Sequence, residues 1–373
     1  MKKKIFNYDF LVVGAGLIGC LAAVSLHKKN FKVLVIEKNK DLVKDDRTLA
    51  VNANSRKFLN DLNFWTKLHS KSEAIEKIII SDYINNKKIS FDNKNQSMGS
   101  VIFNADLQKI LNEYLKKNQL LNKNIDFEKL NLSSLNSIKI KNKLYNFKKV
   151  ILALGKNFNN VNYVKKNQFQ VSHKAYVGFF KHQKKHFQIA YETFTPKGPL
   201  AVLPCPDKTK KLSTFIFSTK DKISKKILLD KLNYLFTDTH GKIIMSNKIK
   251  EFPIASHLTR PLKKNFILLG DNSRAIHPVA GQGWNLGVKD IQALLKILDE
   301  YPISDEKFDD TYFNRRQIEN FSYLVFTNTL NSVYESDNIL AKKIIKAGFS
   351  ILNNYPFLRQ IFISQAMGTK NLI

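Results

Sequence analysis

Cysteine is almost absent: Cys20 and Cys205 are the only two in 373 residues. That is too few for a disulfide framework or a cysteine-built metal centre, and a reducing compartment is expected. Arginine is scarce, with seven against 54 lysines, and acids are outnumbered 31 to 61 by basic residues, for a net charge of +30. The lysines are spread along the chain, as at Lys2-Lys3-Lys4 and Lys184-Lys185, and are not gathered with arginine and aromatics. This argues against nucleic-acid binding, although such a surface is drawn to anionic phospholipid. Long apolar runs are missing too. Residues 10–26, after the basic N-terminus, imitate a signal peptide, but Asn7 and Asp9 interrupt the flank and Gly14, Gly16 and Gly19 break the run. It falls short of the ~20 residues a membrane span needs. What is present is 43% hydrophobic and 11% aromatic residues, enough for a core, which excludes a disordered class.

Residues 8–13 read as a buried parallel strand, short, β-branched and ending at glycine. Residues 17–29 then read as a helix and 32–36 as the next strand. Helical spacing recurs over 54–62 and 104–117, the second helix entered through a cap at Asn104 or Asp106, with strands over 76–81 and 88–91 between them. Residues 150–154 form another parallel-type strand, 171–218 run β-rich, 265–269 return to the buried-strand pattern, and from Gly283 onward nearly everything reads as helix. The expected class is α/β, a Rossmann-like nucleotide-binding domain interrupted by a β-rich second domain.

The sequence has only 14 glycines, and half of them fall in two short segments. Gly14-Ala15-Gly16-Leu17-Ile18-Gly19 lies between a strand and a helix, with Glu37 at the end of the following strand. The first glycine permits the turn, the second lets the backbone approach a pyrophosphate, and the third lets helix and strand pack, while the helix N-terminus offers N–H donors. Glu37 is placed to take both hydroxyls of an adenosine ribose. This segment by itself fits FAD or NAD; the second decides for a flavin. Gly270-Asp271 ends a strand, where the carboxylate can hold a ribityl chain. Gly281-Gln282-Gly283 opens a helix whose N-terminus, carrying roughly half a positive charge, suits the N1–C2=O edge of a reduced isoalloxazine.

Residues 270–290, Gly-Asp-Asn-Ser-Arg-Ala-Ile-His-Pro-Val-Ala-Gly-Gln-Gly-Trp-Asn-Leu-Gly-Val-Lys-Asp, resemble the C-terminal FAD fingerprint of class A flavoprotein aromatic hydroxylases, in the form found among ubiquinone-biosynthesis hydroxylases. Arg47-Thr48-Leu49-Ala50, with Ser55 and Leu59, is similar to that family's Arg-x-x-Ala-Leu element, and residues 191–204 look like its substrate-domain strand and turn. The resemblance covers nearly the whole chain and implies a p-hydroxybenzoate hydroxylase-like fold. An FAD-binding domain would take residues 1–72, 99–165 and 262–320, a β-sheet substrate domain 73–98 and 166–261, and a helical region 321–373. It implies FAD contacts by Arg47 and Asn285 beside the glycines, Glu37, Asp271 and Gln282 already named, and flavin-side positioning by His277, Pro278 and Gln282.

The implied reaction is hydroxylation of a polyprenylated phenol ring in ubiquinone biosynthesis, through a C4a-hydroperoxide formed from reduced FAD and O2. With a single dinucleotide fingerprint, electrons are expected from transiently bound NAD(P)H or another donor. No metal is implied. Implied partners are a ubiquinone-biosynthesis complex and the membrane surface, with the protein cytoplasmic and peripheral at the inner membrane face. A hydroxylase of a soluble aromatic and an inactive flavin-binding scaffold are the alternatives. His277 either holds its loop or moves a proton. Glu192 and Phe194, two apart on a strand, share a side that is either the active-site ceiling or core. The tail over 338–373, apolar but carrying Lys342, Lys343, Lys346 and Arg359, either packs on the FAD domain or lies on a membrane. Two departures stand out: Leu154-Gly155 replaces the family's Asp-Gly, and Asn272-Ser273-Arg274 replaces its small residues.

Overall fold

The computed structural model describes every residue except 1–4, 41–44, 128–135, 141–142, 156–157, 159–162, 170–172, 247, 255, 278–280, 337 and 370–373. Phe10 to Val13 are at most 1% exposed, as expected of a strand covered on both faces. Their strand, Ile5–Val13, lies between Lys143–Leu152 and Val33–Glu37, all parallel; Phe266–Leu268 and Leu121–Lys123 extend the two sides in parallel, and Ser137–Ile140 adds an antiparallel edge. One face is covered by the helices Leu17–Lys28, Asn104–Lys117 and Gln282–Glu300, through Leu21, Val24, Leu107, Leu111, Val288 and Ile291.

The second sheet has eight strands, antiparallel except where Ile189–Thr195 runs parallel to Lys77–Asp82. Alternation along its strands sends Tyr191, Val202 and Phe217 toward the helix Lys225–His240, and Phe194 and Leu203 toward the C-terminal helices Lys307–Glu335, Ile339–Asn354 and Pro356–Ala366. The interrupted α/β arrangement and the helical C-terminus are therefore as expected.

One expectation needs correction, and one is met in part. The helix Asn104–Lys117 has no side-chain cap: the Asn104 amide is engaged by Asp45, at 2.7 Å, and Asp106 pairs with Lys71 instead. The tail packs through Ile345, Phe349, Ile363 and Met367 on Ile89, Phe91 and Phe194 of the substrate sheet, and also on Ala53 and Val101 of the FAD-binding part, where the Met367 carbonyl accepts the Asn54 N–H at 3.0 Å. Apolar side chains left without cover there, Leu340, Tyr355 and Phe357, are 60–75% exposed. No helix among the described residues is long and apolar enough to cross a membrane.

Candidate active site

Each glycine of the first loop has a distinct role. Gly14 has φ +101°, and a Cβ there would sit 2.5 Å from the Ala153 carbonyl oxygen; on Gly19 it would meet the Gly14 oxygen at 2.0 Å. A Cβ on Gly16 would meet nothing within 4 Å. Two glycines thus close the backbone packing, and the third borders open space where a ligand can approach. The helix it opens has no side-chain cap and no acid in its first turn, so its N–H groups and positive dipole end face that space. Glu37 sits at the rim. One carboxylate oxygen accepts the Ala15 N–H at 2.7 Å and the other accepts from the Asn39 backbone and amide.

The second loop is packed directly onto the first. A Cβ on Gly287 would collide with Ile18 at 2.6 Å, and Gly270, at φ +60°, lies over the same side chain. Gly281, at φ +63°, opens the helix Gln282–Glu300, again without a side-chain cap, and the space before Gly283 is open. Asn285 braces the loops: its amide donates to the Ala50 carbonyl at 2.9 Å and its oxygen accepts the Asn52 N–H at 3.1 Å. Arg47 makes a forked pair with Asp45 and stacks on Phe252, 4.8 Å from the ring centre. Burial opposes ionisation of Asp45, but hydrogen bonds from Arg47 and Asn104 prevail and lower its pKa to about 2.

Between the second loop and the second sheet lies an open cleft with about 680 Å³ of empty space, solvent at its mouth included. Asp271, Arg274, Gly281, Gly283 and Trp284 form one side of it, and Leu203 and Ile216 of the substrate sheet form the other. Glu192 pairs in register with Ala201, which pairs with Ile216, so Glu192 and Phe194 share the cleft-facing side of the sheet. Phe194 itself stacks on Tyr334 at 4.4 Å inside an apolar cluster, the core alternative. His277 is 1% exposed and lies edge-on to His173, ring centres 5.2 Å apart. His173 pairs with Glu335 of the long helix, an arrangement that suits holding the loop. Gln282 is the first residue of its helix, half-buried, and Pro278 lies outside the described residues.

Sequence reasoning missed what stands behind the cleft. Asp290, wholly buried, accepts from the Gly270 N–H at 2.9 Å, from Arg274 at 2.7 Å and from Arg316 at 2.7 Å. Glu319 joins Arg316 to Lys289. Burial works against the Arg316 charge, but Asp290 and Glu319 outweigh it and raise its pKa; burial likewise opposes the Glu319 charge, and Arg316 and Lys289 lower its pKa. The available signal was the pair Lys289-Asp290 within an otherwise apolar helical stretch. The two departures from the family pattern also meet here, since the Leu154 N–H donates to the Asn272 side chain.

The open cradles at Gly16 and Gly283, the two uncapped helix N-termini and Asp271 fit FAD. A family model described as an FAD binding domain matches residues 158–318, and one for an NAD(P)-binding Rossmann-like domain matches residues 12–44. Among solved structures, p-nitrophenol 4-monooxygenase PnpA from Pseudomonas putida DLL-E4 superposes with a TM-score of 0.75 at 15% identity, covering 98% of each chain. PqsL of Pseudomonas aeruginosa, a probable FAD-dependent monooxygenase, gives 0.68 at 14% identity over 88% of this chain and 97% of that one. Fold and site define an FAD-dependent monooxygenase of the aromatic-hydroxylase class.

The sequence relatives narrow this further. Ubiquinone biosynthesis monooxygenase COQ6 of Dictyostelium discoideum is 23% identical over 97% of this chain and 91% of its own length. Ubiquinone hydroxylase UbiL of Rhodospirillum rubrum is 22% identical over 98% and 90%. Over nearly its whole length the chain is thus similar to ubiquinone hydroxylases.

Proposed function

We propose that this enzyme hydroxylates the aromatic ring of a polyprenylated phenol in ubiquinone biosynthesis while resting on a membrane surface. The observation that carries this reading is the cleft, where the second glycine loop, packed on the first through Ile18, meets an apolar wall of the substrate sheet. Reduced FAD, when bound, supplies the activation of O2. Gly16 and Gly283 would admit the cofactor's backbone-close parts, Asp271 would accept hydrogen bonds from its polyol chain, and the N-terminus of the helix Gln282–Glu300 would offset its negative charge. Leu203, Ile216 and Ile276 orient a ring and exclude water. Electrons come from NAD(P)H bound transiently or from another donor.

Support for the membrane comes from the tail, where exposed Leu340, Tyr355 and Phe357 accompany Lys342, Lys343, Lys346 and Arg359. The test is expression in bacterial strains each lacking one ubiquinone-ring hydroxylase, with prenylated intermediates followed by mass spectrometry. Restoration of one strain is expected and fixes the ring carbon. Flavin-loaded protein that restores none would overturn the reading in favour of a soluble aromatic substrate or a scaffold.

A further inference from the structure

The buried network behind the cleft holds three cations, Arg274, Arg316 and Lys289, against two carboxylates, Asp290 and Glu319. The surplus charge can be located. Arg316 engages Asp290 and Glu319, and Lys289 engages Glu319, whereas Arg274 bonds Asp290 through Nη1 alone. Arg274 is 3% exposed, and its Nε and Nη2 have no acceptor among the described residues. A guanidinium buried with two donors unmet is costly unless a ligand completes it.

Arg274 lines the cleft, and so does Ile276 two residues on, across from Leu203 and Ile216. Other groups near the guanidinium do not cancel its charge. Asp271, on the same wall, lies within electrostatic reach of Arg47. His257, on the paired strand, meets the Asp271 carbonyl. Tyr312 and Tyr323 of the long helix have their pKa values raised, first by burial. The reduced cofactor's negative edge would be met by the uncapped N-terminus of the helix Gln282–Glu300. The apolar surfaces around Arg274 fit a ring.

We propose that Arg274 is a substrate-binding residue that receives an anionic oxygen carried by the aromatic ring, so that the cleft selects the ionised form of an acidic aromatic. The inference rests on the reading above, that a ring enters this cleft. It is tested by binding alone, so it can fail while hydroxylation stands, and the reverse.

The probe is 4-nitrophenol, titrated into the FAD-loaded protein from pH 5 to 9 and read by perturbation of the flavin spectrum. In the wild type, affinity should rise as the probe ionises, by about tenfold or more between the neutral and anionic forms. Arg274→Met should bind with the same weak affinity across the range, and Arg274→Lys should keep the rise because it keeps the charge. A pH-independent wild type overturns the proposal whatever the variants do, as does an unchanged rise in Arg274→Met. 4-Nitrobenzoate, run alongside, separates a hydroxyl-derived from a carboxylate-derived anion; tight binding of either supports the cation's role. If instead the midpoint potential of bound FAD falls in Arg274→Met while 4-nitrophenol binding keeps its pH dependence, the charge serves the reduced cofactor and the proposal is overturned.

Discussion

The two sheets solve the problem of buried polar groups in opposite ways. Behind the parallel sheet, charges are kept and paired: Asp290 holds two guanidiniums and a backbone N–H with no exposure at all. Beneath the substrate sheet, His182, His186 and His240 lie together, with ring centres 4.6 Å apart for His182 and His240 and 6.1 Å for His182 and His186. There burial pushes all three pKa values down, that of His240 to about 3, so the rings are held neutral. A charged network fixes the cofactor loops against the long helix and leaves a cation for the cleft; a neutral cluster only packs and ties neighbouring segments by hydrogen bonds. The difference indicates that the first half is built around a ligand.

The largest effect should come from breaking the charged side. Asp290→Ala strands Arg274 and Arg316 and is expected to destabilise the flavin-free protein by about 3–5 kcal/mol in urea unfolding; a loss below 1 kcal/mol would show the network to be dispensable. Gly19→Ala, which drives a Cβ into the Gly14 carbonyl, should cost about 3 kcal/mol by the same measurement. Gly16→Val sharpens the contrast within one loop. Its side chain enters open space, so the apoprotein should unfold as the wild type does, while FAD binding weakens by about 100-fold, roughly 2.7 kcal/mol. Normal flavin content in this variant would remove the assignment of the loop.

The neutral side predicts a pH dependence of definite sign. Histidines whose folded pKa values lie below the unfolded 6.5 contribute stability above about pH 6.5, which is lost as the pH falls below it. The loss should reach at most about 1.4 kcal/mol per pH unit for each proton taken up. His240→Phe should flatten the slope, and an unchanged slope would place the acid sensitivity elsewhere. The smallest stability effect belongs to Phe357→Ser, whose side chain is 75% exposed. It should shift unfolding by less than about 0.5 kcal/mol yet reduce sedimentation with anionic vesicles; unaltered sedimentation would count against the tail as the membrane contact.

Much of the cofactor half was legible because backbone geometry restricts residue choice locally. A turn at φ +101° and a helix packed against a strand leave glycine at Gly14 and Gly19, and a strand buried on both faces reads as an unbroken apolar run. The placement of Asp271 in the short 3-10 turn just after a strand, and of Gly281 and Gly283 at a helix start, follows from the same short-range rules. The tail's packing partner was not legible, since Ile345, Phe349 and Ile363 would fit any apolar surface. Nor was the pairing of Leu154 with Asn272, which are 118 residues apart.

By itself the sequence determined the class of fold, the two glycine loops and the flavin, because each is written in contiguous residues obeying period, turn and helix-end chemistry. Only the tertiary structure decided that Arg274, Asp290, Arg316, Glu319 and Lys289 form one network, and that its surplus cation lines the cleft. Charge balance in a buried cluster depends on which distant side chains the fold brings within hydrogen-bond reach, and no local pattern records that.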